Sequence, residues 1–196
     1  MALPALILAS TSPYRAQLLG RLGLPFTAVP PKVDESPQPG EHPGLLCCRL
    51  AEAKARAVAG NHPGALIIGS DQLAVLGDRI LTKPGNHARA VEQLSALSGQ
   101  RVVFLTGLCL LNASSRQAQV DVVPYSVVFR ELSSAAIDTY LRKDQPYQCA
   151  GSFKSEGLGI ALFERMEGED PTALIGLPLV RLVDMLAGEG VAVLGA

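Results

Sequence analysis

Six charged side chains stand out by their settings: Arg15 in STSPYR, Glu35 in VDES, Lys54 in AEAKA, Asp71 in IIGSDQ, Lys83 in TKP and Lys154 in GSFKSEG. Four cations suit a triphosphate, and two carboxylates suit a hard divalent ion with oxygen ligands. The chemistry open to such a set is metal-assisted attack of water on a phosphoanhydride. Other routes to phosphate chemistry lack their residues: there is no GxxxxGK[ST], and no GxGxxG follows a strand. His42, His62 and His87 lie in loop-like or helix-entry contexts, which argues against a Ser–His nucleophile and a zinc site. Asp71 poses the sharpest question. It interrupts the apolar stretch ALIIGSDQLAVL, and a buried carboxylate must protonate, pair or bind a metal.

Each residue also has a plainer reading. Ser12 suits a helix cap with Arg15 exposed beside it, and Asp34 and Glu35 suit a solvated loop. Lys54, at the flank of its helix's apolar stripe, suits a snorkelling lysine, and Asp71 suits a turn carboxylate on nearby N–H groups. Lys83 suits an exposed strand exit, and the glycines around Lys154 and Glu156 suit a flexible turn. The case for chemistry rests on the set.

The elements that must position these residues follow from periodicity and punctuation. Leu3–Ala9 reads as a strand buried on both faces. Ser12-Pro13 opens a helix with Leu18, Leu19 and Leu22 on its apolar face and Gly23 at its end. Strand, polar loop and helix N-terminus together present N–H groups to an anion, near Ser10, Ser12 and Arg15. The Pro- and Gly-rich VPPKVDESPQPGEHPG is a loop. A helix follows over Leu45–Ala59 with Leu46, Leu50, Ala53 and Ala57 on one stripe. Leu66–Ile68 is a second buried strand, which delivers Asp71 from its C-terminal end, where open α/β sheets place ligands. Leu73–Leu76 and Arg79–Leu81 form hairpin arms around Gly77-Asp78. Asn86 caps a helix to Leu97, Val102–Leu111 and Val120–Arg130 form a long antiparallel pair, and Ser133 opens a helix to Arg142. GLPLVRLVDMLAG is a final amphipathic helix with Pro178 in its first turn.

The chain has 196 residues and 48% hydrophobic content, enough for the core of one α/β domain covering residues 1–196. Seventeen basic and eighteen acidic residues leave no global basic field to recruit nucleic acid or an anionic membrane. The four cysteines are sparse and contain no CxxC, and the N-terminus lacks a signal peptide's basic flank. These features fit a soluble, cytoplasmic protein of a reducing compartment.

The segments LILASTSPYRAQLL, VDES, AEAKA, IIGSDQ, TKP, LSG and CAGSFKSEGLGIALFERMEG together resemble the Maf family of nucleotide pyrophosphatases, in that family's order. The resemblance implies a mixed, twisted sheet with flanking helices and two lobes around a nucleotide cleft, related to the inosine triphosphate pyrophosphatases. It implies hydrolysis of a nucleoside triphosphate to the monophosphate and pyrophosphate, with Mg2+ or Mn2+. It makes Asp71 the acceptor of the attacking water's proton, Glu35 a metal ligand alongside Asp71, and Lys54 and Lys83 catalytic lysines. Ser10, Ser12 and Arg15 become phosphate-binding residues, with Lys154 beside the substrate. A homodimer is compatible with the family. Tyr14, Gln72 and Glu156 depart from the commonest pattern and resemble the branch that cleaves 7-methyl-GTP rather than the dTTP/UTP branch. N7-methylguanine is cationic and suits stacking on Tyr14, and Glu156 can accept from guanine's N1–H and exocyclic amine. A nucleotide-binding regulator of cell division without catalysis is the alternative from a different class.

Overall fold

Alternation along the strands decides which helix each side chain meets. The computed structural model describes residues 4–195. The strands are β1 (Leu6–Ala9), β2 (Phe26–Ala28), β3 (Leu66–Leu76), β4 (Arg79–Leu81), β5 (Arg101–Asn112), β6 (Ala118–Phe129) and β7 (Phe163–Glu167). Among the described residues they form a seven-stranded sheet in the order β2-β1-β3-β5-β6-β7, with β4 paired to β3. The sheet is mixed: β1 runs parallel to β2 and β3, while β4 and β7 pair antiparallel with β3 and β6. The helices are α1 (Pro13–Gly20), α2 (Pro43–Ala59), α3 (His87–Leu97), α4 (Ser134–Asp144), α5 (Pro171–Ile175) and α6 (Leu179–Gly188). The chain divides into two compact units. The first holds the chain up to Gln72, Leu105–Val123 and the chain from Asp170 onward; the second holds Leu73–Phe104 and Pro124–Glu169.

In the first unit the sheet is buried on both faces. Leu6, Leu8, Leu66, Ile68, Leu108 and Leu110 pack with Leu18 and Leu19 of α1 and with Leu182, Met185 and Leu186 of α6. The alternate residues Ile7, Ala9, Ile67, Cys109 and Leu111 pack with Ala51, Ala55 and Val58 of α2. Continuous apolar runs at β1 and β3 follow from this double burial. Two glycines bring α2 unusually close. A Cβ on Gly69 would come within 2.0 Å of the Ala51 carbonyl oxygen, and one on Gly107 within 2.2 Å of the Cys47 carbonyl oxygen.

The second unit has an aromatic core. Phe153 meets Phe104, Phe129 and Phe163 edge to face, with ring centroids 5.4, 5.5 and 5.0 Å apart. Such near-perpendicular contacts place a ring's positive edge on its neighbour's negative face. Helices α3 and α4 pack together in this unit.

Several sequence expectations need correction. The strand at Leu66 does not stop at Ile68: β3 continues through Gly69, Ser70, Asp71 and Gln72 to Leu76. The polar residues need not leave the strand because each finds a hydrogen-bond partner in place. Asp71 is therefore mid-strand, not at a strand end. The parallel register with β1 does end at Ala9↔Gly69, so Asp71 lies two residues beyond the end of the parallel pairing. The buried stripe of α2 runs through Leu46, Cys47, Leu50, Ala51, Lys54, Ala55 and Val58, whereas Ala53 is half-buried and Ala57 exposed. Small residues turn inward there because the helix backbone lies against the two glycines. Lys54 is inside that stripe rather than at its flank. Pro178 stands at the N-cap of α6, before its first turn. The short elements β2, β7 and α5 were not anticipated, and Leu3 lies outside the described residues.

The capping expectations hold. The Ser12, Asn86 and Ser133 side chains accept from the backbone N–H groups of Arg15, Arg89 and Ala136. Each offsets an orphan donor at its helix start.

Candidate active site

Even and odd residues of IIGSDQ carry the site in two directions. Ile67, Gly69 and Asp71 face α2; Ile68, Ser70 and Gln72 face the other side of the sheet. With no Cβ at Gly69, α2 sits low enough for Lys54, about one turn beyond Ala51, to reach Asp71. Its Nζ donates to Asp71 Oδ1 at 2.6 Å and meets Glu35 Oε1 at 2.6 Å. Lys54 is 6% exposed and Asp71 7%, while the Glu35 side chain is 60% exposed. Of the three fates open to a buried carboxylate, Asp71 shows pairing, with the Lys54 ammonium. Asp71 Oδ2 has no hydrogen bond among the described residues, and so faces a ligand or water. Breaking a buried pair by deleting one partner typically costs about 3–5 kcal/mol, because the other charge is left without compensation.

Arg15 joins this group electrostatically. Desolvation lowers its pKa from the usual arginine value, and the nearby carboxylates of Asp71 and Glu35 oppose that shift. Its Nε donates to the Gly176 carbonyl at 2.8 Å, which fixes the guanidinium and leaves its terminal nitrogens for a ligand. Ser10 and Ser12 lie at the start of the same helix. Ser10 Oγ accepts from Ser12 N, and Ser12 Oγ from Arg15 N. Tyr14 is exposed on the first turn of α1.

On the opposite side of β3, hydroxyls and an amide bind α5 and its exit. Ser70 Oγ lies 2.8 Å from the Gly107 carbonyl and 2.9 Å from that of Gly176. Thr106 Oγ1 donates to Ala173 O at 2.8 Å. Gln72 Nε2 faces Thr106 Oγ1, Ala173 O and Leu174 O at 3.0, 2.7 and 3.0 Å. Two amide hydrogens facing three acceptors are fully committed, leaving Oε1 as the atom of Gln72 open to a ligand. Asp170 fastens the segment further, accepting from Thr172 N at the start of α5 and from Val180 N at the start of α6. Sequence reading missed Ser70, Thr106, Asp170 and Thr172. Asp170-Pro171, an N-cap followed by proline, was a legible signal; Ser70 and Thr106 carried none, since their value lies in which strand face they occupy.

Lys83, Lys154 and Glu156 belong to the second unit. Lys83 is exposed and, with Arg79 and Arg89, lines a cavity of ≈ 410 Å³. Lys154 Nζ donates to the Asp144 carbonyl at the C-terminus of α4, where a cation is favoured. Its backbone N–H donates to Tyr140 Oη, which itself donates to Asp144 Oδ2. Glu156 is exposed, and its carboxylate accepts from the Ser155 hydroxyl at 3.1 Å. The Cys149 thiol, pushed up by burial, also feels Lys154, Glu156, Asp144 and Lys83, so these charges gather in one part of that unit.

Among the described residues no group of three or more His, Cys, Asp or Glu side chains is arranged to hold a metal. Glu35 and Asp71 nevertheless converge on one point, as shown by their common 2.6 Å contacts to Lys54. Two carboxylates fit Mg2+, which is commonly held by one or two carboxylates together with substrate phosphates. No helix among the described residues is long and apolar enough to cross a membrane.

A relative from Nitrosococcus oceani named 7-methyl-GTP pyrophosphatase is 58% identical over 191 residues, covering 97% of this chain and 96% of its own. One of the same name from Pseudomonas syringae pv. tomato is 59% identical, covering 97% of this chain and all of its own. In fold, the Staphylococcus aureus Ham1 protein is similar with a TM-score of 0.51 at 11% identity, over 94% of this chain and 99% of that one. The family model described as Maf-like protein matches residues 5–189. The chain belongs to the Maf family.

Proposed function

We propose that the chain is a nucleoside triphosphate pyrophosphatase that hydrolyses 7-methyl-GTP to 7-methyl-GMP and pyrophosphate. The observation that carries this reading is the buried Lys54 held between Asp71 and Glu35, with Arg15 close by. Relatives of 58–59% identity over almost the whole chain bear that activity in their names. The family match spans both compact units, which supports treating residues 1–196 as one catalytic domain. The four cysteines form no disulfide among the described residues, which suits a reducing compartment such as the cytoplasm.

In this reading Arg15, with Ser10 and Ser12 beside it at the start of α1, binds phosphate oxygens. Asp71 Oδ2 takes the proton from a water that attacks the α-phosphorus. A bond forms from that water oxygen to phosphorus, the bridging α–β P–O bond breaks, and pyrophosphate departs. Lys54 holds Asp71 Oδ1 and so orients the carboxylate; in the second unit Lys83 and Lys154 carry positive charge of the kind that suits phosphate oxygens. A divalent cation held by Glu35 and Asp71 would neutralise phosphate charge and acidify the water. Base assistance of this kind is typically worth ~10²–10⁴-fold. Tyr14 carries an exposed aromatic face of the kind that suits a cationic base, and in the second unit Glu156 carries an exposed acceptor of the kind that suits guanine's N1–H and amine.

The test is pyrophosphate release from 7-methyl-GTP, GTP, dTTP and UTP by the purified protein with Mg2+ or Mn2+. The expected result is the highest kcat/KM for 7-methyl-GTP. Preference for dTTP and UTP would move the chain to the other specificity, and nucleotide binding without pyrophosphate would make it a sensor.

A further inference from the structure

Glu35 stands in a segment, residues 29–42, that has no helix or strand. Its side chain is largely exposed, and its contact is the Lys54 ammonium. An ion pair with an exposed member contributes at most about 1 kcal/mol, less than the entropy of ordering several loop residues. Something else must keep Glu35 beside Asp71.

That something is on α2. Arg49 Nε donates to Glu41 Oε1 at 2.6 Å and Nη2 to Glu41 Oε2 at 2.7 Å, a two-pronged bond. The same Nη2 donates to the Ser36 carbonyl at 3.1 Å, directly after Glu35. Glu41 Oε2 also accepts from Gln38 N at 3.0 Å, and Asp34 Oδ1 accepts from Ser36 N at 2.9 Å, turning the chain around Glu35. The Glu41 side chain is only 9% exposed. Arg49 thus gathers both ends of the 36–41 stretch onto the helix that also carries Lys54. Hydrogen bonding from Arg49, then from Gln38 N, holds the Glu41 carboxyl down to about 2. The brace is therefore intact above the ordinary carboxylate range and is lost only as pH falls toward that value.

We infer that Arg49 is a positioning residue: through Glu41 and the Ser36 carbonyl it fixes the loop that presents Glu35 to Lys54 and to the divalent cation. The inference rests on the proposed role of Glu35 as a metal ligand. Lysine cannot reproduce the fork, since its ammonium is a single point of charge.

The experiment compares the full-length parent with Arg49→Lys and Glu41→Gln, by hydrogen exchange at the Ser36 and Gln38 amides and by the Mg2+ dependence of 7-methyl-GTP hydrolysis. Expected are faster exchange at both amides with α2 still protected, and a half-saturating Mg2+ concentration raised ~10–100-fold, as for other residues that support a metal ligand. At saturating Mg2+ kcat recovers to near the parent value. Unchanged exchange at those amides overturns the brace. Faster exchange with unchanged Mg2+ dependence overturns the link to Glu35. A parent that releases no pyrophosphate from any triphosphate overturns the proposed function instead, while exchange still reads the brace.

Discussion

Lys54 is 6% exposed and touches two carboxylates, whereas Lys83 is exposed and has no ion pair among the described residues. Asp71 is buried in a strand; Glu156 stands on a loop with one serine for company. In the first unit, polar groups of the candidate site are inside the fold and hydrogen-bonded there: Ser70, Thr106 and Asp71 are all buried. In the second, four phenylalanines pack edge to face within the core, and Lys83, Lys154 and Glu156 lie outside helices and strands. Burial fixes geometry but makes each group costly to change. Exposure leaves a group adjustable without endangering the fold. Chemistry that must not vary suits the first arrangement, and discrimination among bases suits the second.

The largest expected effect is at Asp71. Asp71→Asn keeps an oxygen for Lys54 Nζ and so keeps the fold, but loses the proton acceptor. Turnover should fall ~10²–10⁴-fold with an unchanged circular dichroism spectrum. Lys54→Met, by contrast, strands the Asp71 carboxylate and should lower stability as well as activity. Parent-like turnover by Asp71→Asn with added metal would remove Asp71 from the chemistry.

Next comes packing beneath the site. Gly69→Ala places a methyl against the Ala51 carbonyl, and only backbone movement can relieve it. Overpacking of this kind costs about 1–3 kcal/mol, and each 1 kcal/mol lowers Tm by about 2–4 °C at this chain length. Activity should fall with it, since α2 carries Lys54. Gly157→Ala in the second unit meets a side chain rather than backbone, the Asp144 carboxylate at 3.3 Å, which a shift of a few tenths of an ångström relieves, and should lower Tm less. Equal Tm losses for the two would erase the contrast between the units.

The sequence made the helix caps, the α2 lysine and the unusual setting of Asp71 legible, because caps and charge-in-apolar runs are local patterns. Its reading of IIGSDQ as strand followed by a polar break was wrong for a physical reason. Alternating polar residues look like a break when their partners are unknown, and those partners, Lys54, Gly107, Ala173 and Gly176, lie 17 to 106 residues away. The α2 stripe was misread for a related reason. Alanines are ambiguous as core residues until the glycines they pack against are known. Loop order was equally hidden: VDES reads as solvated until Arg49 is seen to tie Ser36 and Glu41 to α2.

The smallest effect, and the one that best separates the units, concerns the two residues linked to base preference. The sequence resemblance groups Gln72 and Glu156 together, yet their surroundings differ. Gln72 spends its amide hydrogens on α5 and Thr106, so Gln72→Thr leaves the Leu174 carbonyl without that donor and loosens the segment whose Gly176 carbonyl holds Arg15. Its effect should spread over 7-methyl-GTP, GTP, dTTP and UTP alike, with Tm lowered. Glu156 has no such structural duty. Glu156→Gln replaces a charged acceptor for two guanine donors by an amide with one oxygen, a loss of about 1.5 kcal/mol, or roughly tenfold in kcat/KM for 7-methyl-GTP relative to dTTP. Tm should not move. A preference shift from Gln72→Thr with parent Tm, or a Tm loss from Glu156→Gln without one, would reverse the assignment of rigidity to one unit and selectivity to the other.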